Sequence, residues 1–184
     1  GISSKSIHAN VIGEHGDSEV LLWSGAVAGT SCVERIAKET NVVLDSSIKQ
    51  KIDNDVRNSA YEIIKGKGAT YFGIASAVLH IVRAILNDSH AILNISSHHD
   101  SYIDGVNDIC YAMPSIIGKN GVEKILMPTI SEYEKNELIK SAKVLKEYMD
   151  KWDGQVFIDK MQLDKSKSVL EIGVGTGRIA VKVA

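Results

Sequence analysis

Histidine 15 stands in the string Gly13-Glu14-His15-Gly16-Asp17-Ser18-Glu19, between two glycines and beside the carboxylates of Glu14, Asp17 and Glu19. Imidazole exchanges a proton near neutral pH. A histidine on a polar loop is therefore suited to giving a proton to an oxygen and taking it back. Gly13 and Gly16 are expected to turn the backbone sharply and to leave open space around the ring. A lone histidine near acids is usually a satisfied surface or core residue, and spacing alone favours that reading over catalysis.

The elements around this string must position it. Ala9-Asn10-Val11-Ile12 leads in and Val20-Leu21-Leu22-Trp23 leads out, which predicts a strand, a loop and a second strand; the first strand should run over 6–12. Gly25, Ala26, Ala28 and Gly29 then suggest a loop or close approach. A helix is expected over 46–64, with Ile48, Ile52, Val56, Ala60, Ile63 and Ile64 on one stripe and Gly66-Lys67-Gly68 ending it. A second helix over 70–86 is apolar nearly all round. It must be buried or sit at an interface, and His80 with it.

After the break at Asn87-Asp88-Ser89, strands are expected over 91–96 and 106–112 around a turn at 102–105. Further turns are expected at Met113-Pro114 and Gly118-Lys119-Asn120-Gly121, then a short strand over 122–127. Ser131 and Glu134 have capping-box spacing, and Leu138, Ala142, Leu145 and Met149 share one face of the helix that follows. The sum is an α+β fold. His98-His99-Asp100 reads as loop; adjacent strand histidines would point to opposite faces, so no metal site is assigned.

Composition narrows the classes. The 184 residues, 44% apolar and 24% charged, suit one domain with a short appendage. A net charge of -2 leaves no basic footprint for nucleic acid. Cys32 and Cys110 are isolated, as in a reducing, cytoplasmic setting. No apolar run is of bilayer length and no signal peptide opens the sequence, so no membrane partner is expected. The first residue is Gly1 rather than methionine, which suggests a processed, cut or incomplete product.

The string 13–19, followed by Trp23-Ser24, closely resembles the active-site signature of L-lactate dehydrogenases. Glu14 and Ser18-Glu19 favour the lactate branch over the related malate dehydrogenases, and Leu21 stands where that family usually has proline. Tyr61-Glu62-Ile63-Ile64-Lys65-Gly66-Lys67-Gly68-Ala69-Thr70, Ala84-Ile85-Leu86, Pro114-Ser115-Ile116-Ile117-Gly118-Lys119-Asn120-Gly121 and Ser141-Ala142 fit the same family. The likeness covers residues 1–150 and corresponds to its C-terminal, substrate-binding domain.

That resemblance implies that His15 is the general acid/base, protonating the carbonyl oxygen of pyruvate while hydride reaches the carbon, and reversing this for lactate. It implies that Thr70 contacts a small 2-oxo or 2-hydroxy acid; as a residue, Thr70 serves equally as a helix N-cap. His8 resembles the histidine with which many bacterial members bind fructose 1,6-bisphosphate, or is simply a strand residue facing solvent. A homo-oligomer and the cofactor NAD are implied. The Rossmann domain that holds NAD, with its GxGxxG turn, has no counterpart ahead of His15. Neither the family's aspartate partner of the histidine nor its carboxylate-binding arginine can be matched. The chain alone is therefore expected not to turn over.

Residues 151–184 change character. A short strand at 169–172 meets Gly173-Val174-Gly175-Thr176-Gly177 and the start of a helix, a short Rossmann-like βα extension. Arg178 stands where the dinucleotide fingerprint wants glycine. The string instead resembles the first motif of S-adenosylmethionine-dependent methyltransferases. There Gly173, Gly175 and Gly177 would admit the cofactor and Glu171 would support it. The acid that would hold the ribose has no counterpart, so a fusion, truncation or assembly scar is expected over a bifunctional enzyme. Two rivals to the dehydrogenase reading stand: a non-catalytic oligomerisation or interaction remnant, and a methyltransferase fragment.

Overall fold

The computed structural model describes residues 2–99 and 107–150. In chain order they form strands β1 (Ile7–His8), β2 (Val11–Ile12), β3 (Val20–Leu21), β4 (Val27–Ala28) and β5 (Ser31–Cys32). Helices α1 (Val33–Glu39), α2 (Ser46–Lys67) and α3 (Phe72–Leu86) follow. Strands β6 (Ala91–His99), β7 (Ile109–Gly118) and β8 (Gly121–Ile125) and helix α4 (Glu132–Asp150) complete the fold. Every pairing among them is antiparallel, and the α+β expectation holds.

The strand expected over 6–12 is two strands. His8 pairs with Val27 in a small sheet of β1, β4 and β5, whereas Val11 pairs with Leu21 in the β2–β3 hairpin. Asn10 is the crossover; its carbonyl accepts the Leu22 N–H at 2.9 Å. Leu21 thus sits in a paired strand without the family's proline. The strands β4 and β5 and helix α1 had no signal in the small residues that follow Trp23.

The hairpin docks on the larger sheet, ordered β6-β7-β8. Gly13 and Ala112 exchange backbone hydrogen bonds at 3.0 and 2.9 Å, tying the base of the His15 loop to β7. Beneath it lies the core: Ile12, Val20 and Leu22 from the hairpin, Ile109, Tyr111 and Met113 from β7, and Leu138, Ala142 and Leu145 from α4. The α4 stripe read from its spacing is therefore the buried one. Its start is the expected capping box, Ser131 Oγ accepting Glu134 N–H (3.3 Å) and Glu134 Oε2 accepting Ser131 N–H (2.8 Å).

Two expected turns are strand. Met113-Pro114 lies inside β7, with Pro114 opposite Asn94. The Pro114 carbonyl accepts the Leu126 N–H, so the residue's missing donor faces β8 one position past the Ser115–Ile125 pair. The sheet gives up one bond there, the donor that Pro114 lacks, at the last step of the β7–β8 pairing, where proline is tolerated. His98 and His99, read as loop, extend β6. His99 is buried, stacked on Tyr111 with ring centroids 3.9 Å apart. The turn expected at 102–105 lies outside the described residues.

Helix α2 begins on Asp45, whose carboxylate accepts the Ile48 N–H at 2.9 Å, and stops at Gly68 with φ +84°. None of its residues is buried, and of α3 only Ala84 is. The apolar stripe of α2 and most of the all-apolar α3, His80 included, face solvent in a single chain. Among the described residues no helix is long and apolar enough to cross a membrane.

Candidate active site

His15 occupies the loop between β2 and β3, at the edge of a cavity of about 580 Å³. The loop forms one wall; α2 and α3 form another through Arg57, Tyr61, Ile74 and Ile81; β6 adds Asn94 and Ser96. The imidazole is exposed, and no hydrogen bond to it exists among the described residues. What fixes it is the loop on either side.

The glycines do something other than clear space for the ring. Gly13 has φ +88°, and a Cβ there would lie 2.6 Å from Ser141 Oγ. The absent side chain lets α4 approach so closely that buried Ser141 Oγ accepts the Glu14 N–H at 2.8 Å. A Cβ on Gly16 would lie 2.7 Å from Glu14 Oε1. That room lets the Glu14 carboxylate fold back under the loop and accept the Ser18 N–H (3.1 Å) and the Ser18 hydroxyl. Both glycines make room for anchors rather than for imidazole.

On the far side the anchors come from α2. Arg57 Nη1 donates to the Asp17 carbonyl at 2.6 Å, and the Tyr61 hydroxyl donates to Asp17 Oδ1 at 3.0 Å. That bond and the negative charge of Asp17 hold the Tyr61 phenol above its usual range. Arg57 is itself gripped by Asp53, Nε to Oδ2 at 2.9 Å and Nη2 to Oδ1 at 3.2 Å. Glu19 is buried with Oε1 unpartnered among the described residues. Burial pushes its carboxyl above the usual range, against the pull of Arg57 and then of His15.

The exit from the hairpin is fastened too. Glu134 accepts the Ser24 N–H at 3.0 Å and the Ser24 hydroxyl. Burial would raise its carboxyl, but the hydrogen bonds from Ser24 and Ser131 win and bring it down to about 2.

The other expected residues lie apart. Thr70 is exposed between α2 and α3 and is not among the residues that line the cavity. It does not cap α3 either, because Tyr71 holds that position without a side-chain bond. His8 is exposed on β1, paired with Val27 away from the hairpin. Glu171, Gly173, Gly175 and Gly177 lie outside the described residues. Sequence reasoning missed Arg57, Tyr61 and Ser141 as anchors; Tyr61 and Ser141 appeared only within strings that resemble the family, with no role attached.

Residues 1–155 match the model of the lactate/malate dehydrogenase α/β C-terminal domain. The L-lactate dehydrogenase of Allorhizobium ampelinum is 42% identical over 146 residues, which are 79% of this chain and 47% of that protein. The L-lactate dehydrogenase of Thermus aquaticus is 41% identical over 145 residues, 79% of this chain and 46% of that one. Among solved structures, the minor L-lactate dehydrogenase of Enterococcus mundtii in a ligand-bound form matches with a TM-score of 0.75 and 36% identity. It covers 82% of this chain and 48% of that one. A lactate dehydrogenase from a deep-sea metagenome library gives 0.77 and 34%, covering 81% and 47%. The chain spans about half the length of the relatives it matches.

Proposed function

The chain belongs to the lactate/malate dehydrogenase family, as its α/β C-terminal domain, and from that premise we propose that it is the substrate-binding and proton-transfer domain of an NAD-dependent L-lactate dehydrogenase. The observation that carries this is His15 at the rim of the cavity, on a loop anchored from both sides. In this reading His15 as imidazolium gives its proton to the carbonyl oxygen of pyruvate, and as imidazole takes it from the lactate hydroxyl. Thr70, exposed between α2 and α3, is the substrate contact of this scheme. His8 is the allosteric anion contact of this scheme, for a sugar bisphosphate.

The nicotinamide cofactor supplies the hydride in such a reaction. Dinucleotide sites are built on parallel βαβ units, and the described strands pair only antiparallel. Its binding is therefore not assigned to these residues and no step here runs through it. The glycine turn at 173–177 falls beyond the match at 1–155, and no S-adenosylmethionine role is proposed. The uncovered apolar faces of α2 and α3 support homo-oligomer assembly, which also fits the rival reading of a non-catalytic assembly module.

The two readings part in one experiment. The chain is joined genetically to the cofactor domain of a related L-lactate dehydrogenase, and NADH consumption with pyruvate is followed at 340 nm (~340 nm being the dihydronicotinamide band). Turnover lost in His15→Asn by at least about 100-fold, the usual worth of a general acid, supports the proposal. Turnover that survives His15→Asn refutes it, and a folded chimera without turnover favours the assembly module. The 184-residue chain alone is expected to give no turnover.

A further inference from the structure

His15 makes no hydrogen bond of its own among the described residues, so its position is inherited from its neighbours in the loop. On one side Glu14 is held by Ser141 of α4. On the other, Asp17 is held by Arg57 of α2. We propose that Arg57 is a positioning residue for His15: oriented by Asp53, it pins the loop to α2 through the Asp17 carbonyl. This rests on the proton-transfer role proposed for His15.

The geometry argues for arginine in particular. Asp53 takes two nitrogens of the planar guanidinium, Nε and Nη2. With the plane fixed, the direction of Nη1 is fixed as well, and it meets the Asp17 carbonyl at 2.6 Å. Lysine carries the charge but has no second and third nitrogen in a rigid fork. The clamp also matters because nothing on α2 is buried. Beyond Arg57 and Tyr61, Lys49 near the start of α2 pairs with Glu34 at 2.5 Å and lies over the Trp23 ring, 5.1 Å from its centroid.

The charge has a second use. Glu19 is buried at the cavity wall, with Oε1 unpartnered among the described residues. A carboxylate is costly to bury unless a cation compensates. Arg57 is the leading cation acting on it and His15 the next, while Asp53 and Glu14 act against it. Asp17 and Tyr61 complete the ionisable groups around the loop, and Glu137 reaches Arg57 from α4. Removing Arg57 therefore frees the loop and strands a buried acid in one change.

The test uses the full chain, isotopically labelled, with Arg57→Met and Arg57→Lys. Three readouts are taken: amide hydrogen exchange, the His15 imidazole 1H–13C cross-peak, and the titration of the Glu19 carboxyl. In Arg57→Met, exchange at Ser18 and Glu19 is expected to rise about tenfold or more, the worth of one charge-assisted hydrogen bond. The His15 cross-peak should shift or broaden, and Glu19 should titrate higher than in wild type. In Arg57→Lys, exchange should still rise at the loop while Glu19 titrates near its wild-type position. An unchanged His15 cross-peak with unchanged loop exchange overturns the proposal. So does a uniform rise across β7 and α4, which marks a residue that merely supports the fold. If Arg57→Met does not fold, Arg57→Lys decides by the same two criteria. None of these readouts needs turnover, so a failed clamp and a failed dehydrogenase reading remain distinct.

Discussion

Glu134 offers the sharpest test of how the hairpin is fastened. Its carboxylate is buried at 5% exposure and collects hydrogen bonds from the backbone and hydroxyl of both Ser24 and Ser131. These hold its pKa at about 2, against an ordinary 4.5, although burial pulls the other way. At 1.36 kcal/mol per unit the gap corresponds to about 3 kcal/mol of stability at neutral pH. The folded value lies below the unfolded one. The contribution is therefore complete above about 4.5 and is lost as pH falls towards 2.

In Glu134→Gln one carbonyl oxygen remains and an NH2 group faces donors it cannot accept from, so the N–H of Ser24 or of Ser131 loses its partner. A loss of about 2–3 kcal/mol at pH 7 is expected. Urea denaturation of both proteins from pH 7 to pH 2.5 is the assay. Other carboxylates titrate in the same range, so the informative quantity is the difference between the two proteins. It should narrow by about 2 kcal/mol or more between pH 6 and pH 2.5. A difference that stays constant over that range would mean that the four hydrogen bonds do not stabilise the charged form, and the reasoning would fail.

Glu19→Gln should do the opposite. Burial raises the Glu19 carboxyl, so the folded state holds its proton more tightly and loses stability as pH rises through and above 4.5; the variant should unfold at higher urea than wild type at pH 7, and a lower midpoint would contradict this. Gly13 and Gly68 both have positive φ, but only a Cβ at Gly13 meets another residue. Gly13→Ala is expected to cost about 3 kcal/mol and Gly68→Ala about 1 kcal/mol in the same assay, and equal costs would remove the close approach of Ser141 from the account. The uncovered apolar residues of α2 and α3, Phe72 and Leu86 at 78% exposure among them, should make the chain self-associate at micromolar concentration, because a patch beyond a few hundred Å² is about the most a monomer tolerates. Light scattering that shows a clean monomer would contradict that expectation.

The sequence read best where a pattern has one physical meaning. The α4 stripe and the Ser131–Glu134 box appear as expected, because helical periodicity and capping are both local. Helix α2 ended at Gly68 for the same reason. Pro114 misled because proline is tolerated in a strand where the pairing beside it ends, and that is set by Leu126, which lies beyond the next hairpin. The strand over 6–12 failed because adjacent residues joined different sheets, which no alternation pattern reports. At the site, His15 was legible from its string. Arg57 and Tyr61 were not, since they lie 40 and 44 residues from Asp17 and look like ordinary polar positions on a helix.

The two walls of the cavity are built differently, and the difference bears on the chemistry. The hairpin wall is tied to β7 and α4 by buried side chains, backbone bonds and the Glu134 cluster. The α2–α3 wall buries a single residue, Ala84, and holds to the loop through Arg57 and Tyr61. An exposed imidazole exchanges its proton with water, and charges in an open cavity are screened by it. In the proposed reaction, selective proton transfer from His15 would require that the α2–α3 wall be covered. Ile74 and Ile81 line the cavity while Phe72, Leu79 and Leu86 of the same helix lie exposed. Cover over α3 would remove that apolar surface from water. The surface expected to drive association is thus the surface that the proposed chemistry would need covered.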